Sequence, residues 1–155
     1  MDFTISGLSP EPYRDLFGLS DEELAAHGAR RYVATSCPGF PDRIEMRDAE
    51  VGETLLLVNH VSVYQDTPYR ASHAIFVREG AQSAYQERNE VPEVMMRRLI
   101  SLRAFDGQGM MVDAELAKGD DIKPAIVRLL SQPSVSRIDA HYALRGCYSG
   151  KIERA

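Results

Sequence analysis

The chain contains no tryptophan and only two cysteines, Cys37 and Cys147, which stand far apart without a C-x-x-C partner. That excludes a disulfide scaffold and the common thiolate metal motifs, and two free thiols fit a reducing, cytoplasmic setting. Long apolar runs are missing as well. The longest aliphatic stretch is Leu55-Leu56-Leu57-Val58, far short of the roughly 20 residues that cross a bilayer, so no membrane partner is expected. Met1-Asp2-Phe3 opens with neither a positive n-region nor an apolar h-region, and no secretion signal is expected. Clustered positive charge is also scarce. Eighteen Lys and Arg against 23 Asp and Glu leave a net charge of −5, and basic residues come in ones and twos, as Arg30-Arg31 and Arg97-Arg98. Nucleic acid needs a basic stripe and is not expected as a partner. The loops G-x-x-x-x-G-K-[ST] and G-x-G-x-x-G and the elbow G-x-S-x-G do not occur, so no cofactor is indicated.

What is present is ordinary globular material: 155 residues, 44% hydrophobic and 26% charged. A chain of this length fits one domain that buries roughly 70% of its unfolded surface, and folding needs no metal or cross-link. Residues 3–6 read as a short edge strand, and Ser9-Pro10 opens a helical stretch to Phe17. Ser20-Asp21-Glu22-Glu23 is a capping box, with Gly28 placed to leave that helix in the left-handed region. Strands are expected at 30–35, 43–46, 54–63 and 74–78, with a loop at 64–73 and a polar, looped segment at 79–93. A helix over about 121–131 follows from Ile122, Ile126, Leu129 and Leu130 at helical spacing, with Pro124 in its first turn.

Two hairpins allow a register to be deduced. A loop at Gly107-Gln108-Gly109 pairs 106 with 110, and from there 104 with 112, 102 with 114 and 100 with 116. Arg103 then faces Asp113, and a one-residue slip, which turns Asp113 and Glu115 toward the core, is disfavoured. A loop at Leu144-Arg145-Gly146 pairs Tyr142 with Tyr148, Ala140 with Gly150 and Ile138 with Ile152, and sets His141 against Ser149. The expected fold is α+β, a mixed, mostly antiparallel sheet with a few helices packed mainly on one face.

Several segments carry a likeness: Pro38-Gly39-Phe40-Pro41, Asp48-Ala49-Glu50-Val51-Gly52-Glu53, Pro68-Tyr69-Arg70-Ala71-Ser72, Phe76-Val77-Arg78-Glu79, Arg103-Ala104-Phe105-Asp106, Met110-Met111-Val112-Asp113 and Gly146-Cys147-Tyr148. In this order the chain resembles, over nearly its whole length, a bacterial family known as a domain of unknown function, number 1203. The resemblance implies a bacterial protein made of this one domain and brings no activity with it. Many members have Cys where this chain has Asp42 and Gly where it has His73. A metal or disulfide through position 42 is therefore not implied, nor is His73 as a shared catalytic group.

Four constellations carry chemistry. Asp139, His141, Cys147 and Ser149 share one face in the deduced register, with His141 within about 7 Å of Cys147; a Cys–His pair of that kind makes a thiolate nucleophile. The plain reading is a solvated hairpin face. Tyr69, Arg70 and Ser72 follow Pro68 on a loop, where an arginine fork and a hydroxyl can hold a carboxylate or phosphate. The plain reading is an Arg70 ion pair and a turn closed by Ser72. Arg103 and Asp113 form either a pocket floor or an ordinary surface pair. A metal could gather His60, His73, His141 and Cys147, but their spacings match no short ligand motif, and His60, in step with Leu56 and Val58, reads as a buried histidine. The leading expectation is a binding module or small enzyme whose polar cleft takes an anionic small molecule. Arg70 would hold its charge, Tyr69 and Ser72 would orient it, and His141 with Cys147 would supply any chemistry. The alternative is a structural or interaction protein, most simply a homodimer pairing sheet edges or faces.

Overall fold

Hydrophobic alternation assigns the strands, and a computed structural model, which describes all 155 residues, shows how they assort. Six strands form one sheet in the order β5 (Gln86–Arg88), β1 (Phe3–Ser6), β9 (Tyr148–Arg154), β8 (Arg137–Tyr142), β6 (Leu99–Phe105), β7 (Met111–Lys118). Three more, β2 (Arg30–Val33), β3 (Thr54–Val63) and β4 (Ala71–Arg78), form a second sheet in chain order. Every neighbouring pair is antiparallel. The fold is α+β and antiparallel in character, as expected, but no parallel pair is mixed in and the strands divide between two sheets.

The helices follow their local signals. α1 (Asp21–Ala26) starts on the capping box: Ser20 Oγ accepts from the Glu23 N–H at 3.1 Å and the Glu23 carboxylate accepts from the Ser20 N–H at 2.9 Å. It ends where Gly28 turns to φ +70°, letting the Ala29 N–H reach back to the Leu24 carbonyl. The long helix, α3 (Ile122–Leu130), buries Ile122, Ala125, Ile126, Leu129 and Leu130 on one stripe. One short turn of helix, α2 (Glu93–Met96), precedes it in the chain and begins at the last residue of the segment 79–93 expected to be polar loop. Together they cover one face of the six-stranded sheet and close the larger core, which includes Phe3, Ile5, Ile100, Leu102, Ile138 and Ile152.

The opposite face of that sheet meets the three-stranded sheet. Leu56, Val58, Ile75 and Val77 point inward there and pack with Tyr13, Leu24, Ile44 and Tyr148 in a second core. The segment expected as a strand at 43–46 is instead a turn around buried Asp42. Its carboxylate accepts from the backbone N–H groups of Arg78 (2.7 Å), Glu45 (2.7 Å) and Ile44 (3.2 Å). A side chain therefore satisfies the donors that a ladder would have satisfied.

Both hairpin registers need correction. The first turn forms as expected, with the Asp106 N–H bonded to the Met110 carbonyl and Gly109 at φ +85°. A bulge at Val112 then shifts the ladder, so that Ala104 faces Asp113, Arg103 faces Ala114 and Leu102 faces Glu115. Asp113 and Glu115 do turn to the helix-covered face. The slip is tolerated because β7 is the edge strand, where bulges are common and side chains stay wet. At that edge Asp113 meets Gln132 and Glu115 meets Arg128, both from α3 or just beyond it. In the second hairpin 138–152 and 140–150 pair as deduced, but a bulge at Ser149 puts Tyr148, not Ser149, opposite His141.

Candidate functional site

The second bulge decides which side chains meet. Tyr148 turns into the core between the sheets, while Cys147 packs on the other face with Tyr142. Cys147 Sγ accepts from Arg43 Nη2 at 3.1 Å, and Arg43 also donates to the carbonyls of Tyr148 (2.8 Å) and Pro41 (2.7 Å). His141 faces the other way, its ring 5.8 Å from that of Tyr148. The expected Cys147–His141 neighbourhood does not form, since the two side chains lie on opposite faces of one hairpin.

On the side of His141 a different group assembles. Arg103 stands opposite Asp139 and Ser101 opposite His141 across β6 and β8, so all four share the face turned toward the three-stranded sheet. Asp139 is only 2% exposed and is engaged by Arg137, whose Nε and Nη2 donate to its two oxygens at 3.0 and 3.4 Å. Burial pushes the Asp139 carboxyl up, against the pull of Arg137. With Arg137 occupying that carboxylate, Arg103 keeps one partner, the Ser101 hydroxyl, to which its Nε donates at 3.3 Å. Its two terminal nitrogens bond to nothing in the chain. Burial presses the Arg103 guanidinium down from its usual range, opposed by Asp139.

Two imidazoles, His73 and His141, lie beside this arginine, and a third, His60, lies next to His73. His60 and His73 are direct partners across β3 and β4 and point inward together. The His73 ring lies edge-on to His141 at 5.0 Å between centroids, and the His60 ring lies 4.9 Å from Tyr148. The Tyr13 hydroxyl sits 3.5 Å from His60 Nδ1, whereas His73 Nδ1 is buried with no partner. His141 Nδ1 is 2.9 Å from the Gly146 carbonyl oxygen. A carbonyl only accepts, so Nδ1 carries the proton and Nε2 is left as a bare acceptor. Burial drives the His141 pKa down to about 3, with Arg103 and His73 adding to the effect against the Gly146 bond. Burial likewise lowers His60 and His73. All three imidazoles are neutral near pH 7. No group of three or more His, Cys, Asp or Glu is arranged to hold a metal ion.

The loop at 64–70 closes one end of this face. Tyr69 meets Phe105 edge-on at 6.2 Å, Arg137 stacks over the same Phe105 ring at 4.9 Å, and Thr67 Oγ1 donates to the Gly109 carbonyl at 3.1 Å. Arg70 is exposed and donates Nη1 to the Tyr64 carbonyl of its own loop at 2.6 Å. Ser72 alternates with His73 and so points outward, where it is exposed. Asp113 lies on the helix-covered face and does not share a floor with Arg103. Of the residues expected from sequence, Arg103 and His141 come together, with Tyr69 at the rim. Sequence reasoning grouped His73 with His141 only as a candidate metal set, and did not place Ser101, Asp139's partner Arg137 or Tyr148 in this group. The available signal was the inward alternation of Leu56, Val58 and His60, which carries across the ladder to His73. Two surface hollows, of about 250 and 470 Å³, lie elsewhere, the first against Met96 and Lys123, the second against Arg30 and Leu57.

No helix is long and apolar enough to cross a membrane. The family described as a protein of unknown function, DUF1203, matches residues 39–154, which include every strand of the chain except β1 and β2 and hence all the strands of the face just described. The match extends over most of the chain, which therefore belongs to that family. No curated protein and no solved structure matches it.

Proposed function

We propose that this DUF1203 member is a binding module for a small organic anion, held between the two sheets with Arg103 as its anchor. The supporting observation is the state of that guanidinium. Arg31, Arg47, Arg78, Arg97, Arg98 and Arg137 each engage a carboxylate, and buried Arg43 engages two carbonyls. Arg103 is half-buried, with a single hydroxyl partner and a free fork. A desolvated guanidinium favours a bidentate oxyanion, and Arg103 is thus a better anchor than exposed Arg70. Binding is favoured over catalysis because the nucleophile expected at Cys147 sits on the other face and His141 is too weakly basic to abstract a proton near pH 7. Two unpaired cysteines support a cytoplasmic setting.

The test is thermal unfolding of the wild-type chain and of Arg103→Met against a panel of small carboxylates and inorganic phosphate. Methionine keeps the packing of the aliphatic stem and removes the fork. At least one anion is expected to raise the wild-type Tm and to leave the variant unmoved. Equal shifts in both proteins, or none in either, would remove Arg103 as the anchor.

A second reading, a homodimer joined at sheet edges, draws on Val112 and Leu116, exposed on the open edge strand β7. A mass that stays monomeric over a wide dilution series counts against it.

A further inference from the structure

The nitrogen left bare on His141 narrows what Arg103 can hold. We infer that the ligand is a monocarboxylate carrying a hydroxyl or N–H donor close to its carboxylate, with the carboxylate on the Arg103 fork and the donor on His141 Nε2. This rests on Arg103 being the anion anchor and goes on to name the ligand class.

The chemistry follows from what the site offers. The Gly146 carbonyl fixes the tautomer of His141, because at 2.9 Å from Nδ1 it can only receive a proton. Nε2 has no donor from the chain, and although His141 as a whole is 2% exposed, Nε2 is not among the fully buried unpartnered atoms, so a small ligand group can reach it. In a largely desolvated setting a ligand group that donates to this free acceptor gains a hydrogen bond that the chain does not supply. An oxyanion placed there would set lone pair against lone pair.

Phosphate fits poorly for a second reason. Its charge calls for several cationic donors, whereas Arg137 is committed to Asp139 and Arg43 to backbone carbonyls and Cys147. One guanidinium remains, matched to one carboxylate. Asp139 supplies no binding charge of its own, since Arg137 engages both its oxygens. Position agrees: Ser101 is directly opposite His141 and Arg103 is two residues further along the same strand, so Arg103 and His141 are diagonal neighbours on one face.

Two hydroxy acids and their parents decide the question by calorimetric titration of the full chain: glycolate against acetate, and 3-hydroxypropionate against propionate, with inorganic phosphate alongside. At least one hydroxy acid is expected to bind about tenfold or more tighter than its parent, the worth of one buried hydrogen bond. In wild-type protein with ¹⁵N-labelled histidine, that acid should also shift the His141 Nε2 resonance, a readout that needs no substitution at His141. Parent acids binding as well as their hydroxylated forms, phosphate binding tighter than either, or an unmoved Nε2 resonance would overturn the ligand class while leaving Arg103 as an anchor. Binding by all five probes that survives Arg103→Met, or no binding by any, would overturn the anchor itself and the ligand class with it.

Discussion

His73 and His141 touch edge-on, 5.0 Å apart, although one ends the inner face of the three-stranded sheet and the other the inner face of the six-stranded one. Two neutral rings can pack this way at a sheet–sheet seam. Two imidazolium ions would repel each other, and burial already opposes their charging.

The seam should therefore loosen in acid. His141 is lowered from 6.5 to about 3, so the unfolded chain takes up its proton first as pH falls. Stability is fully present above about pH 6.5 and is lost as pH drops toward 3, at up to about 1.4 kcal/mol per pH unit for this one group. His60 and His73 shift in the same direction and add to the slope. Glu53 and Glu79, each lowered from 4.5 to about 2, act mainly below pH 4.5, whereas buried Asp42 and Asp139 are raised and act in the opposite sense, so the histidine share is read as a difference between variants. Denaturant midpoints across the range from about pH 6.5 to 4.5 should fall in the wild type and fall less steeply in His73→Phe. Identical slopes would mean that His73 does not feel the charging of the seam.

Glu79 ties three elements. It accepts from Arg31 Nε (2.9 Å) and Nη2 (2.7 Å), from the Gly18 N–H (2.8 Å) and from the Thr54 hydroxyl (3.1 Å). Glu79→Gln keeps the shape and removes the charge and one acceptor, and is expected to lower Tm by about 5 °C at pH 7. At pH 2.5 the difference from wild type should shrink, because the wild-type carboxylate is itself approaching protonation. A gap that persists undiminished would show that charge is not what the substitution removes.

Gly7 has no room for a side chain. A Cβ there would fall on the Ile44 carbonyl oxygen and 2.9 Å from the Arg43 carbonyl, backbone atoms that cannot swing aside. Gly7→Ala should cost about 2–3 kcal/mol by overpacking, read as a lower denaturant midpoint. Gly18→Ala, with open space around it and only a positive φ to oppose it, should cost less. The reverse order would contradict the packing of residue 7 against the Asp42 turn.

The bulged register of β6 and β7 is open to a double-mutant cycle. Arg128 and Glu115 are ion-paired across α3 and β7, so removing them singly and together should show a coupling that weakens with added salt. Arg103 and Asp113 occupy opposite faces and should show none. Coupling in the second pair and none in the first would restore the unbulged ladder.

How far the sequence could be read depended on distance along the chain. The capping box at Ser20, the glycine exit at Gly28, the stripe of α3 and the residues flanking each hairpin turn all rest on contacts between near neighbours. Local sterics and hydrogen bonding are enough to specify those. The bulges at Val112 and Ser149 were not visible, because a bulge is decided by what covers each face: α3 offering Arg128 and Gln132 to an edge strand, and a second sheet accepting Tyr148.

The candidate site shows the same division. Scattered basic residues and the lack of a glycine-rich phosphate loop are legible in the sequence, since they depend on residue types and short spacings. Which arginine lacks a carboxylate depends on where every other charge comes to rest. Arg137 reaches Asp139, Arg103 does not, and His73 arrives beside His141 and Arg103 from a different sheet. Only tertiary packing settles that, because desolvation and pairing belong to the assembled face and to no single segment of the chain.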